Sequence, residues 1–160
     1  DMKAVCDIYA DEVLNGVSSW EEKPPSVEEM LRRRDAIVAA GYPYRVAERN
    51  GVIVGYTYAS AYRPRHGYRY TVENTIYVDK AARGLGTGRG LLHDLIDQCQ
   101  ARGYRQMVAV IGDSNNQTSI GFHTQMGFTQ VGLIKNIGFK FDRWLDSVIM
   151  QLPLRDGETC

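Results

Sequence analysis

Apolar residues recur at helical spacing from the start of the chain, at Met2, Val5, Ile8, Tyr9 and Val13. Asp1 is a good N-cap and Asn15-Gly16 a good stop, so the pattern predicts a first helix that begins at once. Val17 to Pro25 is irregular, with Trp20 inside it and a Pro24-Pro25 pair that forbids helix. Ser26 followed by Glu29 resembles a capping box and opens a second helix, Val27 to about Ala40, closed by Gly41. Tyr44 to Glu48 alternates, Asn50-Gly51 is a strong hairpin signal, and Val52 to Ala61 is the returning strand. Val72 to Val78 reads as the next strand. Leu91, Leu92, Leu95, Ile96 and Cys99 then mark one face of a helix, which Ala101-Arg102-Gly103 ends. Gln106 to Ile111 is apolar and β-branched, as expected of a strand buried on both faces. The helix between these two strands makes their connection a parallel crossover. Gly112 to Asn116 is turn chemistry, with Ser114, Asn115 or Asn116 as the cap of a helix carrying Ile120, Phe122, His123 and Met126 and ending at Gly127. Phe128 to Leu133 and Leu145 to Leu152 read as strands, with Gly138 to Trp144 a loop or tight hairpin between them. Residues 155–160 read as a tail after a single domain, 1–154.

Between the strand ending at Val78 and the helix at Leu91 lies a run that changes this from a fold pattern into a candidate site. Gly84, Gly86, Gly88 and Gly90 alternate there, flanked by Arg83 and Arg89. Glycine lets the backbone approach a ligand and take positive φ. A helix start supplies unpaired N–H groups and the positive end of the dipole, so the run predicts a phosphate site. The dinucleotide spacing G-x-G-x-x-G fails from either Gly84 or Gly86, and the triphosphate P-loop spacing is absent. What fits is Arg83-x-x-Gly86-x-Gly88.

Composition narrows the partners. The 160 residues suit one domain with its own core. Lys+Arg and Asp+Glu both number 19, so no net field recruits nucleic acid or an acidic membrane. No apolar run approaches the roughly 18 residues of a membrane span. Cys6, Cys99 and Cys160 have no metal-like spacing, and their odd number suits reduced thiols in a cytoplasmic protein. Arg32, Arg33 and Arg34 fit a solvated helix face better than a binding patch.

Two further stretches carry chemistry. Tyr62 to Thr71 is dense in arginine and tyrosine and is broken by Pro64 and Gly67. Such a loop is either a polar surface or a site for oxyanions, because arginine forks match them and tyrosine gives flat walls. Glu73 stands in an otherwise apolar or β-branched strand. A carboxylate there is either an outward edge residue or a catalytic base whose pKa burial has raised.

The R-x-x-G-x-G run, with Asn116-x-x-Ser119-x-x-x-His123-x-x-x-Gly127-Phe128 downstream, resembles the two signatures of the GNAT acetyltransferases, with His123 where a tyrosine is common. Tyr70-Thr71-Val72-Glu73, Val108-Ala109-Val110-Ile111-Gly112, Gly138-Phe139-Lys140-Phe141 and Arg143-Trp144 resemble the phosphinothricin and methionine sulfone acetyltransferase group. The resemblance runs from the first helix to Leu154. It implies an α/β (α+β) GNAT fold, a mixed, mostly antiparallel sheet flanked by helices. The strand that the family places before the first helix is missing from this chain.

It also implies transfer of an acetyl group from acetyl-CoA to a small amine, with no metal. Glu73 is then the base and His123 the acid for the leaving thiolate, or else a helix residue satisfied locally. The family pattern gives cofactor contacts to Ile76, Tyr77, Val78, Arg83, Gly84, Leu85, Gly86, Thr87, Gly88, Asn116 and Ser119, with Asn116 on the pantetheine arm. Arg63, Arg65, Tyr70 and Lys140 are the candidates for the substrate's acidic groups. The group resembles homodimers whose sites lie near the subunit interface. A GNAT enzyme for another amine and a non-catalytic CoA-binding sensor are the alternatives.

Overall fold

The computed structural model describes residues 1–154. The predicted tail lies outside them. Helix α1 spans Met2–Asn15, and the Asp1 carboxylate caps it by accepting from the Lys3 N–H at 2.9 Å. Helix α2 spans Val27–Ala39, and the Ser26 hydroxyl accepts from the Glu29 N–H at 3.2 Å. The second half of the capping box does not form. The Glu29 carboxylate instead takes Arg32 at 2.7 Å and Arg33 at 2.9 Å, and Arg34 pairs with Asp35, so the arginine run is a solvated face.

Strands β1 (Tyr44–Arg49) and β2 (Val52–Ala61) form the expected hairpin, with Asn50 and Gly51 at φ 53 and 78. Strand β3 (Thr71–Val78) leads to helix α3 (Thr87–Ala101) and strand β4 (Gln106–Gly112). Helix α4 (Gln117–Gln125) is capped by Asn116, and strands β5 (Thr129–Lys140) and β6 (Arg143–Pro153) close the chain. The sheet order is β1-β2-β3-β4-β6-β5, antiparallel throughout except for the parallel β3/β4 pair.

The last hairpin is longer than its sequence pattern predicts. Gly138 to Lys140 are strand, and the reversal is only Phe141-Asp142, at φ 53 and 55. Aspartate tolerates that conformation, whereas phenylalanine there hides the turn from a reader looking for Asn-Gly. Irregular pairing between Ile134 and Gly138 also interrupts the alternation that marks a strand. Strand β4 is buried on both faces except at Val110, which is exposed.

The sheet is covered on both faces. On one, α3 and α4 bury Leu92, Leu95, Cys99, Met107, Ala109 and Phe128. On the other, α1 and α2 lay Val5, Cys6, Ile8 and Met30 on Tyr56. Tyr44 stacks on Tyr56 and Tyr58 on that face.

Only three residue pairs join β3 to β4: Thr71 to Gln106, Val72 to Met107 and Glu73 to Val108. Beyond Glu73 the strands part, each still hydrogen-bonded to its outer neighbour. Leu95 of α3 is fully buried in the core on this helix's face of the sheet. Leu95→Ala is expected to lower stability by about 2–5 kcal/mol, read by urea unfolding.

Candidate active site

The gap between β3 and β4 is a crevice lined by Ser18, Glu73, Asn74, Thr75, Ile76, Tyr77, Val110, Ile111, Ser119 and His123. Alternate N–H and C=O groups of Asn74 to Val78 face it, because β3 has lost its partner on that side. A strand edge of this kind accepts an extended, amide-containing chain.

The alternation of β3 sends neighbouring residues to opposite faces. Glu73, Thr75 and Tyr77 share the α1/α2 face with Tyr56, Tyr58 and Ser60 of β2, their register partners. Glu73 is half-buried and has no ion-pair partner among the described residues. Burial alone pushes its carboxyl above the usual carboxylate range. A carboxylate in this state is a stronger base than an exposed one.

Asn74 points to the other face and carries no functional signal in the sequence. It is 7% exposed, and its Nδ2 lies 3.1 Å from His123 Nε2. The other ring nitrogen, Nδ1, lies 2.9 Å from the Ser119 carbonyl. A carbonyl only accepts, so Nδ1 carries the proton. Nε2 of the neutral ring then accepts from the Asn74 amide. Burial lowers the His123 pKa and keeps the ring neutral. The Asn74 Oδ1 atom is left buried with no partner.

At the far end of β3 stands the glycine turn. Gly84 and Gly86 have φ 73 and 83, and Gly86 caps α3. Gly88 and Gly90 lie inside the helix, so only two of the four glycines use their conformational freedom. The first helical bond runs from Gly90 N–H to Gly86 C=O at 3.0 Å. The N–H groups of Thr87, Gly88 and Arg89 therefore have no helical acceptor, as a pyrophosphate site requires. Leu85 stands exposed between the two positive-φ glycines. The Arg83 guanidinium donates to the Val78 carbonyl at 3.3 Å and lies 3.9 Å from Glu12.

Asn116 caps α4, its Oδ1 accepting from Ser119 N–H at 3.3 Å, and its Nδ2 reaches Ser18 Oγ at 3.3 Å. It thus adjoins the crevice through Ser18. Ser18 itself comes from the segment between α1 and α2, whose sequence pattern predicts only an irregular stretch.

The arginine–tyrosine loop takes a separate place. Arg63 lies over the Tyr62 ring at 5.3 Å, Arg69 over Tyr70 at 4.6 Å, and Arg65 is exposed. None of Arg63, Arg65 and Tyr70 lines the crevice of its own chain. Lys140 is a correction. It is 2% exposed and donates to the Gly16 and Ser19 carbonyls at 2.8 and 2.6 Å, so its ammonium group is not offered to a substrate.

Residues 1–149 match the family model described as an acetyltransferase (GNAT) domain. The chain belongs to the GNAT acetyltransferases. A phosphinothricin N-acetyltransferase of Alcaligenes faecalis is 48% identical over 159 residues, covering 99% of this chain and 81% of the relative. An L-methionine sulfoximine/L-methionine sulfone acetyltransferase of Salmonella typhimurium is 40% identical over 154 residues, covering 96% of this chain and 90% of the relative. The crystal structure of a GNAT phosphinothricin acetyltransferase from Sinorhizobium meliloti in complex with acetyl-CoA superimposes with a TM-score of 0.94 at 46% identity. The match covers 99% of this chain and 86% of that one. In this GNAT enzyme the parted strands and the glycine turn thus have a family context.

Burial of the Glu73 carboxyl has a cost that stability measures. Its pKa is raised in the folded state, so the native protein holds its proton more tightly than the unfolded chain does. Stability is therefore lost as pH rises through the unfolded value toward the folded one. Glu73→Gln is expected to raise Tm at pH 7, and the gain should vanish below about pH 4, where both carboxyls are protonated. Thermal unfolding at the two pH values checks this.

Proposed function

We propose that this GNAT acetyltransferase moves the acetyl group of acetyl-CoA to the amine of a small amino-acid analogue of the phosphinothricin, methionine sulfone or methionine sulfoximine type. The observation that carries the reading is the unpaired, half-buried Glu73 at the point where β3 and β4 part. The names of the relatives support the substrate class.

Acetyl-CoA supplies an activated thioester when bound. The N–H groups of Thr87, Gly88 and Arg89, with the turn Arg83-Gly84-Leu85-Gly86, fit its pyrophosphate. The open edge of β3 and Asn116 and Ser119 beside it fit the amide-rich pantetheine arm, and a backbone N–H of the Ile76–Val78 segment polarises the thioester carbonyl. Glu73 takes the proton of the attacking amine, directly or through water. An α-amine is mostly protonated at pH 7, so this step decides how much nucleophile is present. His123 hands a proton to the departing thiolate. The ring is neutral with Nε2 as acceptor, so that proton first arrives at Nε2 and displaces the Asn74 donor. The nitrogen gives up two protons: the first leaves through Glu73 to solvent, and the second, lost as the amide forms, is the one that passes through His123 to the thiolate, which balances the reaction without any outside acid.

Arg63, Arg65 and Tyr70 recognise the carboxylate and the phosphinyl or sulfonyl oxygens. They stand exposed outside their own crevice, which suits a homodimer in which this loop serves the neighbouring site. Hairpin β5–β6 offers an apolar face for that contact. Val131, Leu133, Ile137, Phe139 and Trp144 are all exposed on it, Trp144 to 63%. Cys6 and Cys99 are free thiols, which suits a cytoplasmic enzyme.

Thiol release from acetyl-CoA tests the chemistry. Release is expected with phosphinothricin, methionine sulfone and methionine sulfoximine. Glu73→Gln should cut kcat by about 10²–10⁴ while the protein still binds CoA. Release only with some other amine would discard the substrate, and CoA binding without release for any amine would make this a sensor. Light scattering tests the assembly. The wild type should elute at twice the chain mass, and Phe139→Lys combined with Trp144→Glu should elute as a monomer.

A further inference from the structure

Ser18 reaches the crevice from a segment with no regular secondary structure. Three features of strands β4 and β5 hold that segment. Lys140 donates to the Gly16 carbonyl at 2.8 Å and to the Ser19 carbonyl at 2.6 Å, one on each side of Ser18. A buried ammonium group normally has a carboxylate partner, and this one has none among the described residues. Burial lowers its pKa, and more distant Glu12 and Glu22 work against that shift. Charged hydrogen bonds to two carbonyls are its compensation.

Gly138 lies two residues before Lys140 and faces the same way. A Cβ there would sit 2.5 Å from the Trp20 ring, so the glycine makes room for the indole. Gly112, at the end of β4, does the same for the Val17 carbonyl and for Trp20 Nε1. Inside the segment, Ser18 Oγ accepts from Asn116 Nδ2 at 3.3 Å and Ser19 Oγ meets the Tyr9 hydroxyl at 2.8 Å.

We propose that Lys140 is a positioning residue for the amine site: with Gly112 and Gly138 it clamps Gly16–Trp20 across the ends of β4 and β5, so that Ser18 forms one wall of the crevice that Glu73 lines. Its link to the amine rests on the crevice being the place of acetylation. The clamp itself concerns where Trp20 sits, and Trp20 reports on it without catalysis.

The chain has two tryptophans, Trp20 and Trp144, so Trp144→Phe leaves Trp20 as the reporter. In that background Lys140→Met and Gly138→Ala should each shift Trp20 emission to the red and raise its quenching by acrylamide. Both should raise KM for the amine about tenfold and leave kcat and the KM for acetyl-CoA near wild type. Leu154→Ala, a buried core change away from the segment, serves as the control of lowered Tm and should move none of these. Lys140→Met and Gly138→Ala with wild-type Trp20 emission would overturn the clamp, as would an equal rise in amine KM in Leu154→Ala. If Lys140→Met fails to fold, Gly138→Ala tests the same clamp with one added methyl. Trp20 emission that moves in a protein without acetyl transfer to any amine would keep the clamp and discard the assigned function.

Discussion

The site depends on one failure of pairing. Strands β3 and β4 are joined at three positions and then part at Glu73 and Val108. Parallel strands in the middle of a sheet normally pair along their length, because an orphaned backbone group inside a protein costs free energy. Here the loss is confined to one edge of each strand, since β2 and β6 keep hydrogen-bonding their outer edges. The parted edges leave donors and acceptors free, which suits the extended ligand proposed for them. Helix α3 starts at Thr87, after the turn that follows β3, and a Cβ on Gly88 in its first turn would lie 3.6 Å from the Val78 side chain at the end of that strand. One topological step, strand to glycine turn to helix, therefore sets both the parted edge and the free amides that the proposed cofactor site would use.

Buried polar groups cluster around the split, and each is treated differently. Glu73 has no partner and keeps a raised pKa. The Asn74 amide nitrogen satisfies His123 Nε2, with Ser119 fixing the ring's tautomer, and Asn74 Oδ1 stays without a partner. Lys140 is spent on backbone carbonyls. An unpaired, half-buried carboxylate weakens a fold, which supports a chemical role for Glu73 over a packing one. The α1/α2 face supplies a stiff tyrosine floor beside Glu73, and the α3/α4 face supplies the histidine. The two catalytic candidates thus approach the split from opposite faces of the sheet.

Local pattern carries most of the fold. The caps at Asp1, Ser26 and Asn116, the Asn50-Gly51 turn and the crossover from β3 to β4 follow from neighbours in sequence, and the structure places them where spacing predicts. Glu73 is visible because a lone acid interrupts a β-branched run. What the chain hides depends on distant contacts. In sequence Lys140 is a candidate for the substrate's acidic groups in a loop or tight hairpin, and the long β5–β6 hairpin instead turns it inward toward Gly16 and Ser19. Asn74 reads as a gap in an apolar face until His123 arrives from α4, far along the chain. Ser18 and Trp20 carry no local signal. Their trace lies elsewhere, in the missing side chains of Gly112 and Gly138.

The neutral state of His123 orders the steps of the proposed mechanism. A ring held with its proton on Nδ1 and its lone pair on Nε2 cannot begin a reaction as an acid; it must first receive a proton. Amine acetylation provides one at the right moment, because the amine loses a proton as it attacks and the thiolate needs one as it leaves. In the proposed mechanism Glu73 takes the first proton of the ammonium group from one face of the sheet, and His123 passes the second to the thiolate from the other. The proposed mechanism rests on two groups whose pKa values burial shifts in opposite directions, Glu73 up and His123 down. The even balance of 19 acidic and 19 basic residues fits such a site, which works by placement of a few desolvated groups rather than by a field.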